Sequence, residues 1–227
     1  MRIAILMTNT DESAFAQRHP KDGEKFTALI RLARPGWSYP VYAVKDGEFP
    51  DTLEFDGVII TGSPASPRAG EPWMDRLEAL VRDLINAGVP MFGACFGHQI
   101  IAKALGARLG DNPGGWVKGV VAAEYDGAVL PAYASHTEQV LTLPKGAETI
   151  ASHPSCAIAG YRIGTQVETT QYHPEMTQDF FAALLDEYAH DLPPDVSAAA
   201  RASLQVEPDR AEWAERIAGF FERASRS

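Results

Sequence analysis

Cysteine is scarce. The 227 residues contain two, Cys95 and Cys156, too few for a disulfide framework, and both thiols are expected to stay reduced. Positive charge is also short, with 20 Lys and Arg against 30 Asp and Glu and a net charge of −10. That balance argues against non-specific binding to nucleic acid or to an anionic membrane. Long apolar runs are missing as well. The opening run, Ile3 to Met7, is too short for the core of a secretion signal, and no later stretch nears the ~20 residues of a membrane span. The expectation is a cytoplasmic protein whose partners are small molecules or other proteins. With 45% hydrophobic residues and no repeat or linker-like tract, one domain is expected over residues 1–227, with a core over about 1–190 and a helical tail over about 191–227.

The pattern along the chain is that of an α/β protein. "RIAILM" reads as a buried strand, "YPVYAV" and "DGVIIT" as two more strands, and "GEKFTALIRLA" as an amphipathic helix with Phe26, Leu29, Ile30 and Ala33 on one face. Leu77, Leu80, Val81, Leu84 and Ile85 recur at helical spacing between Trp73 and Ala87, and Gly88 closes that helix. The strand "VPMFGA" follows at once, then the helix "HQIIAKALG". Alternation of strand and helix predicts an open, mostly parallel twisted sheet with helices on both faces. After Gly106 come glycine-rich turns and the β-like pieces "GVVAAEY", "QVLTL", "CAIAGYRI" and "TQVETTQY", expected to add a small antiparallel edge. Beyond Thr177 the chain is again helical, with Phe180, Phe181, Leu184, Leu185 and Tyr188 on one face. A "DLPPD" break and a further helix near Trp213 to Phe221 complete it.

Cys95 lies between an apolar strand and a helix, with Gly93 and Gly97 two residues to either side. A strand-to-helix elbow holds its central residue in a strained conformation while the residues two before and two after pass close together, so glycine is needed at both. A thiol at the start of a helix also faces the positive end of the macrodipole, which favours the thiolate. A base must then come from elsewhere. In "QYHPE", His173 and Glu175 are two residues apart, so an extended backbone points both to one side. The carboxylate can accept the imidazole Nδ1 hydrogen and turn Nε2 toward a thiol. Pro174, which has no amide hydrogen, suits the end of a strand. His98 reads as a partly exposed helix residue, and no metal is assigned, because no four ligands stand at metal-site spacing.

"GACFGHQ" at 93–99 and "QYHPE" at 171–175 together resemble the class I glutamine amidotransferase family. "DGVIITGSPASP", "PWMDRLEAL", "NPGGWVKG" and "SHTEQV" extend the likeness to its free-standing, single-domain branch, which includes γ-glutamyl peptidases. The resemblance implies a flavodoxin-like sheet and a Cys95–His173–Glu175 triad without cofactor or metal. It also implies an oxyanion hole built from the backbone N–H groups of Ser63 and Phe96. By the same resemblance Gly62, Gln99, Ser135, His136 and Thr137 would meet the substrate, although Gln99 equally suits a helix-capping amide and His136 a structural turn. Many relatives have glycine where this chain has Ser63, and a side chain there limits the peptide orientations, implying a preformed hole. The implied activity is thiol-dependent hydrolysis of glutamine or a γ-glutamyl conjugate through a glutamyl thioester. The alternatives are a glutaminase subunit feeding ammonia to a separate synthetase, and a silent regulatory module on the same fold.

Overall fold

The computed structural model describes residues 1–226. Its strands are β1 (Ile3–Met7), β2 (Val41–Ala43), β3 (Gly57–Ile60), β4 (Met91–Ala94), β5 (Leu109–Asp111), β6 (Val117–Tyr125), β7 (Ala128–His136), β8 (Glu138–Val140), β9 (Ala147–His153), β10 (Cys156–Ile163) and β11 (Val167–Thr170). Its α-helices are α1 (Ala14–Arg18), α2 (Asp22–Arg31), α3 (Pro72–Asn86), α4 (Phe96–Ala104), α5 (Gln178–Glu187), α6 (Pro194–Ser203) and α7 (Arg210–Ala224).

Nine strands form one sheet in the order β2-β1-β3-β4-β11-β10-β9-β6-β7. The first five run parallel, as the buried apolar strands and their crossover helices require. The remaining four continue the sheet antiparallel, so the antiparallel part is wider than the sequence suggests. "QVLTL" leaves this sheet altogether: β8 pairs with β5 in a separate two-stranded ribbon. β11 lies inside the sheet rather than at its edge, parallel to β4 on one side and antiparallel to β10 on the other. β7 escapes sequence reading because Pro131 interrupts it. The structure accommodates that proline by making β7 the last strand, where a missing amide hydrogen breaks no outer ladder.

The periodic faces are the buried ones: Phe26, Leu29 and Ile30 of α2, and Leu77, Val81 and Leu84 of α3. Helix α2 packs on one side of the parallel strands with α7, and α3 on the other with α4. The C-terminal helices belong to the core they cover. Trp213, Ala214, Ile217, Phe220 and Phe221 of α7 join Ile3, Ile5 and Phe26 in one cluster. The indole of Trp213 is fully buried, meets Tyr125 edge-on at 5.1 Å and donates to the carbonyl of Pro131 at 2.9 Å. Helix α6, within the expected helical tail, lies across β6, where the Ser203 hydroxyl accepts the Val120 N–H at 2.8 Å.

Trp213→Ala removes a large buried ring and an acceptor's partner, and is expected to cost about 3–5 kcal/mol. Urea denaturation measures it; a loss below ~1 kcal/mol would make α7 peripheral to the fold.

Candidate active site

The elbow sits where β4 meets α4, between β3 and β11. Cys95 has φ 50° and ψ −106°, a conformation that costs an ordinary L-residue roughly 1–3 kcal/mol. Three backbone hydrogen bonds hold it. The Cys95 N–H donates to Thr170 O at 2.9 Å, the Gly97 N–H to Thr61 O at 3.1 Å, and the Gln99 N–H to Cys95 O at 3.1 Å. The two glycines have the predicted cause. A Cβ on Gly93 would lie 2.7 Å from the Gly97 carbonyl group, and one on Gly97 would overlap the Ile60 carbonyl oxygen.

His173 and Glu175 follow β11. The His173 N–H donates to Tyr133 O at 2.8 Å, tying the segment to β7. Its Nδ1 lies 2.8 Å from Glu175 Oε1, and its ring lines the same cavity as Cys95. All three residues are buried. Gly62 closes the arrangement from the β3 side. A Cβ there would come 2.7 Å from His173 Cε1 and 3.6 Å from Cys95 Cβ, so any side chain would push the imidazole off the sulfur. Burial favours the neutral ring, but negative charge on Cys95 and on Glu175 outweighs it and lifts the His173 pKa to about 10.

The loop after β3 is anchored by Thr8, whose hydroxyl donates to the carbonyls of Thr61 and Gly62, each at 3.0 Å. Among the described residues, the N–H groups of Ser63 and Phe96 have no acceptor within the protein. The Phe96 ring points away and stacks on Trp73 at 5.5 Å.

A cavity of about 700 Å³ opens over the sulfur, lined by Cys95, His173, Glu175, Gly62, Ser63, Gln99, Ser135, His136 and Thr137. Gln99 does not cap its helix. Its amide donates to Glu138 O at 2.8 Å and to Gln171 Oε1 at 3.0 Å, and the Gln171 amide in turn lies 3.7 Å from Cys95 Sγ. His136 lies 3.1 Å from Glu138 O through Nδ1, which therefore carries the hydrogen and leaves Nε2 a buried acceptor without a partner among the described residues. Burial holds its pKa near 4, so it stays neutral. His98, expected to be partly exposed, is instead fully buried behind the elbow. Its Nδ1 lies 2.8 Å from Thr169 Oγ1, and burial holds its pKa near 3.

Gln171, buried beside the sulfur, and Lys118, on the cavity wall, are absent from the sequence-based set. Gln171 was legible, since it stands two residues before His173 in an extended segment and so faces the same side. Lys118 was not: it reaches the cavity through the β6–β7 register, which sets it opposite Ser135.

The His173 ring is expected to stay protonated through neutral pH and to titrate near pH 10, with Cys95→Ser lowering that value because a raising charge is lost. Imidazole NMR titration measures both. A wild-type ring that titrates at the ordinary 6.5 would show that sulfur and imidazole do not interact.

Comparison with known proteins places the chain in a family. The family described as glutamine amidotransferase class-I matches residues 31–187. γ-Glutamyl peptidase 5 of Arabidopsis thaliana is 25% identical over 233 residues, covering 93% of this chain and 92% of its own. A glutamine-hydrolysing GMP synthase of Mycolicibacterium paratuberculosis is 34% identical over 167 residues, which are 68% of this chain and 31% of the synthase. The crystal structure of a glutamine amido transferase from Methylobacillus flagellatus shares the fold, with a TM-score of 0.76 at 22% identity over 98% of this chain and 94% of that one. Since the family match extends over well more than half of its residues, the chain belongs to the class I glutamine amidotransferases.

Proposed function

We propose that the protein hydrolyses γ-glutamyl amide bonds with Cys95 as nucleophile. The observation that carries this reading is a strained elbow thiol that meets, across Gly62, an imidazole whose Nδ1 is held by a carboxylate. The thiolate attacks the side-chain amide carbon, and the oxygen that becomes negative accepts the free N–H groups of Ser63 and Phe96. His173 then gives its proton to the departing amine, leaving a glutamyl thioester. The neutral ring takes a proton from water, hydroxide displaces the sulfur, and glutamate leaves. Glu175 keeps the ring in the orientation that both steps use.

The size of the cavity supports a substrate larger than glutamine. Its walls extend from the sulfur to Phe15 and His19 near α1 and to Phe180 and Leu184 of α5, beyond the span of a free amino acid. A γ-glutamyl peptide or conjugate fills that reach with its leaving group. The likeness to one part of a GMP synthase supports a second reading, in which glutamine is the substrate and the ammonia passes to a separate synthetase.

A panel of glutamine, asparagine, γ-glutamyl dipeptides and glutathione conjugates, assayed for amine or ammonia release, separates the two. The purified chain is expected to turn over γ-glutamyl conjugates without a partner, and Cys95→Ser to lose at least ~10³-fold. Turnover that survives the substitution removes the proposal; glutamine hydrolysis seen only with a synthetase added favours the second reading. Ser63→Gly is expected to lower basal hydrolysis several-fold, because a freer peptide no longer holds its donor in place. An unchanged rate would mean that the side chain does not preform the hole.

A further inference from the structure

Among the described residues, Lys118 is a cavity cation with no carboxylate in ion-pair contact, whereas Lys25 is paired with Asp22 at 2.9 Å and Lys45 with Glu12 at 2.6 Å and Asp46 at 2.8 Å. The carboxylates nearest the sulfur are committed too, Glu175 to His173 and Glu138 to Arg68 and Ser66. Among the described residues, the Lys118 ammonium has one hydrogen-bond partner, the Ser135 hydroxyl at 2.7 Å, and stands 5.7 Å from the rings of Trp116 and Phe181. A half-buried ammonium with a single neutral acceptor is poorly solvated and gains from an anion. Its environment agrees: burial draws its pKa down to about 8, and it lines the cavity together with Cys95.

We propose that Lys118 binds the α-carboxylate of the γ-glutamyl group and so determines that the acyl side of the substrate is a free glutamyl residue. This rests on the hydrolase reading above. In a glutamyl chain the carbon under attack and the α-carboxylate carbon are four bonds apart, roughly 5 Å when extended. The anion is therefore delivered a short distance from the sulfur, on the β6–β7 side of the cavity where Lys118 and Ser135 pair across the strands. Lys118 moves no proton and forms no bond to the reacting atoms. It is a positioning and specificity residue, and the leaving group lies away from it toward α1 and α5.

The test compares a γ-glutamyl anilide bearing a free α-carboxylate with the same anilide bearing an α-carboxamide, on wild type, Lys118→Met and Lys118→Arg. Wild type is expected to prefer the free acid by about 10- to 100-fold in kcat/KM, the range of a charge-assisted hydrogen bond. In Lys118→Met the preference falls to within about threefold through a rise in KM for the acid alone, with the acid and the amide then turned over alike. Lys118→Arg keeps part of the preference. Equal use of acid and amide by wild type, or a Lys118→Met variant that loses both substrates in the same proportion, overturns the assignment and leaves the hydrolase standing. Failure of wild type to turn over any γ-glutamyl amide removes the hydrolase reading, and this inference with it.

Discussion

The close passage of Gly93, Gly97 and the Ile60 carbonyl is the constraint on which the site depends. It lets α4 begin directly against the ends of β3 and β4, and that proximity leaves Cys95 no ordinary backbone conformation. The strain persists because three strands hold the turn at once: Thr61 follows β3, Thr170 ends β11, and the β4 chain runs straight into it. A thiol fixed in this way projects from the carboxyl ends of parallel strands, the place where open α/β sheets collect their ligands.

The sheet divides the work. Its parallel half builds the elbow and the Thr8-anchored loop that carries Ser63, while its antiparallel half supplies the wall with Ser135, His136 and Lys118. The halves join through the β10–β11 pairing, and the hydrogen bond from the His173 N–H to the Tyr133 carbonyl adds a tie to the far strand β7. Helix α7 stiffens the antiparallel half from behind, because the Trp213 indole grips the Pro131 carbonyl on β7. Residues far apart in the chain thus set the distance between the proposed nucleophile and the proposed recognition surface.

Two histidines on this cavity have opposite fates for one physical reason. Both are buried, and burial alone makes each neutral. His173 faces a carboxylate and a sulfur that can bear charge, so the imidazolium wins. Among the described residues His136 meets no carboxylate: burial and the neighbouring His173 outweigh the help of the Glu138 carbonyl, so the neutral ring wins. The site therefore offers a charged donor and a neutral acceptor from the same side-chain type within one cavity.

The sequence alone determined the elements whose causes are local. The helical faces of α2 and α3, the buried parallel strands, the glycine pair around Cys95 and the same-side placement of His173 and Glu175 all follow from spacing, because periods of 2 and 3.6 survive without the rest of the fold. Tertiary structure decided what depends on register and depth. Strand β7 was hidden by Pro131 until its edge position made the proline harmless. His98 was driven fully inside by packing against Tyr161 and Thr169. Lys118 gained a place on the cavity wall through its pairing with Ser135 across two long antiparallel strands. Such contacts arise from which residues the sheet sets opposite one another, and no short window of sequence contains that information.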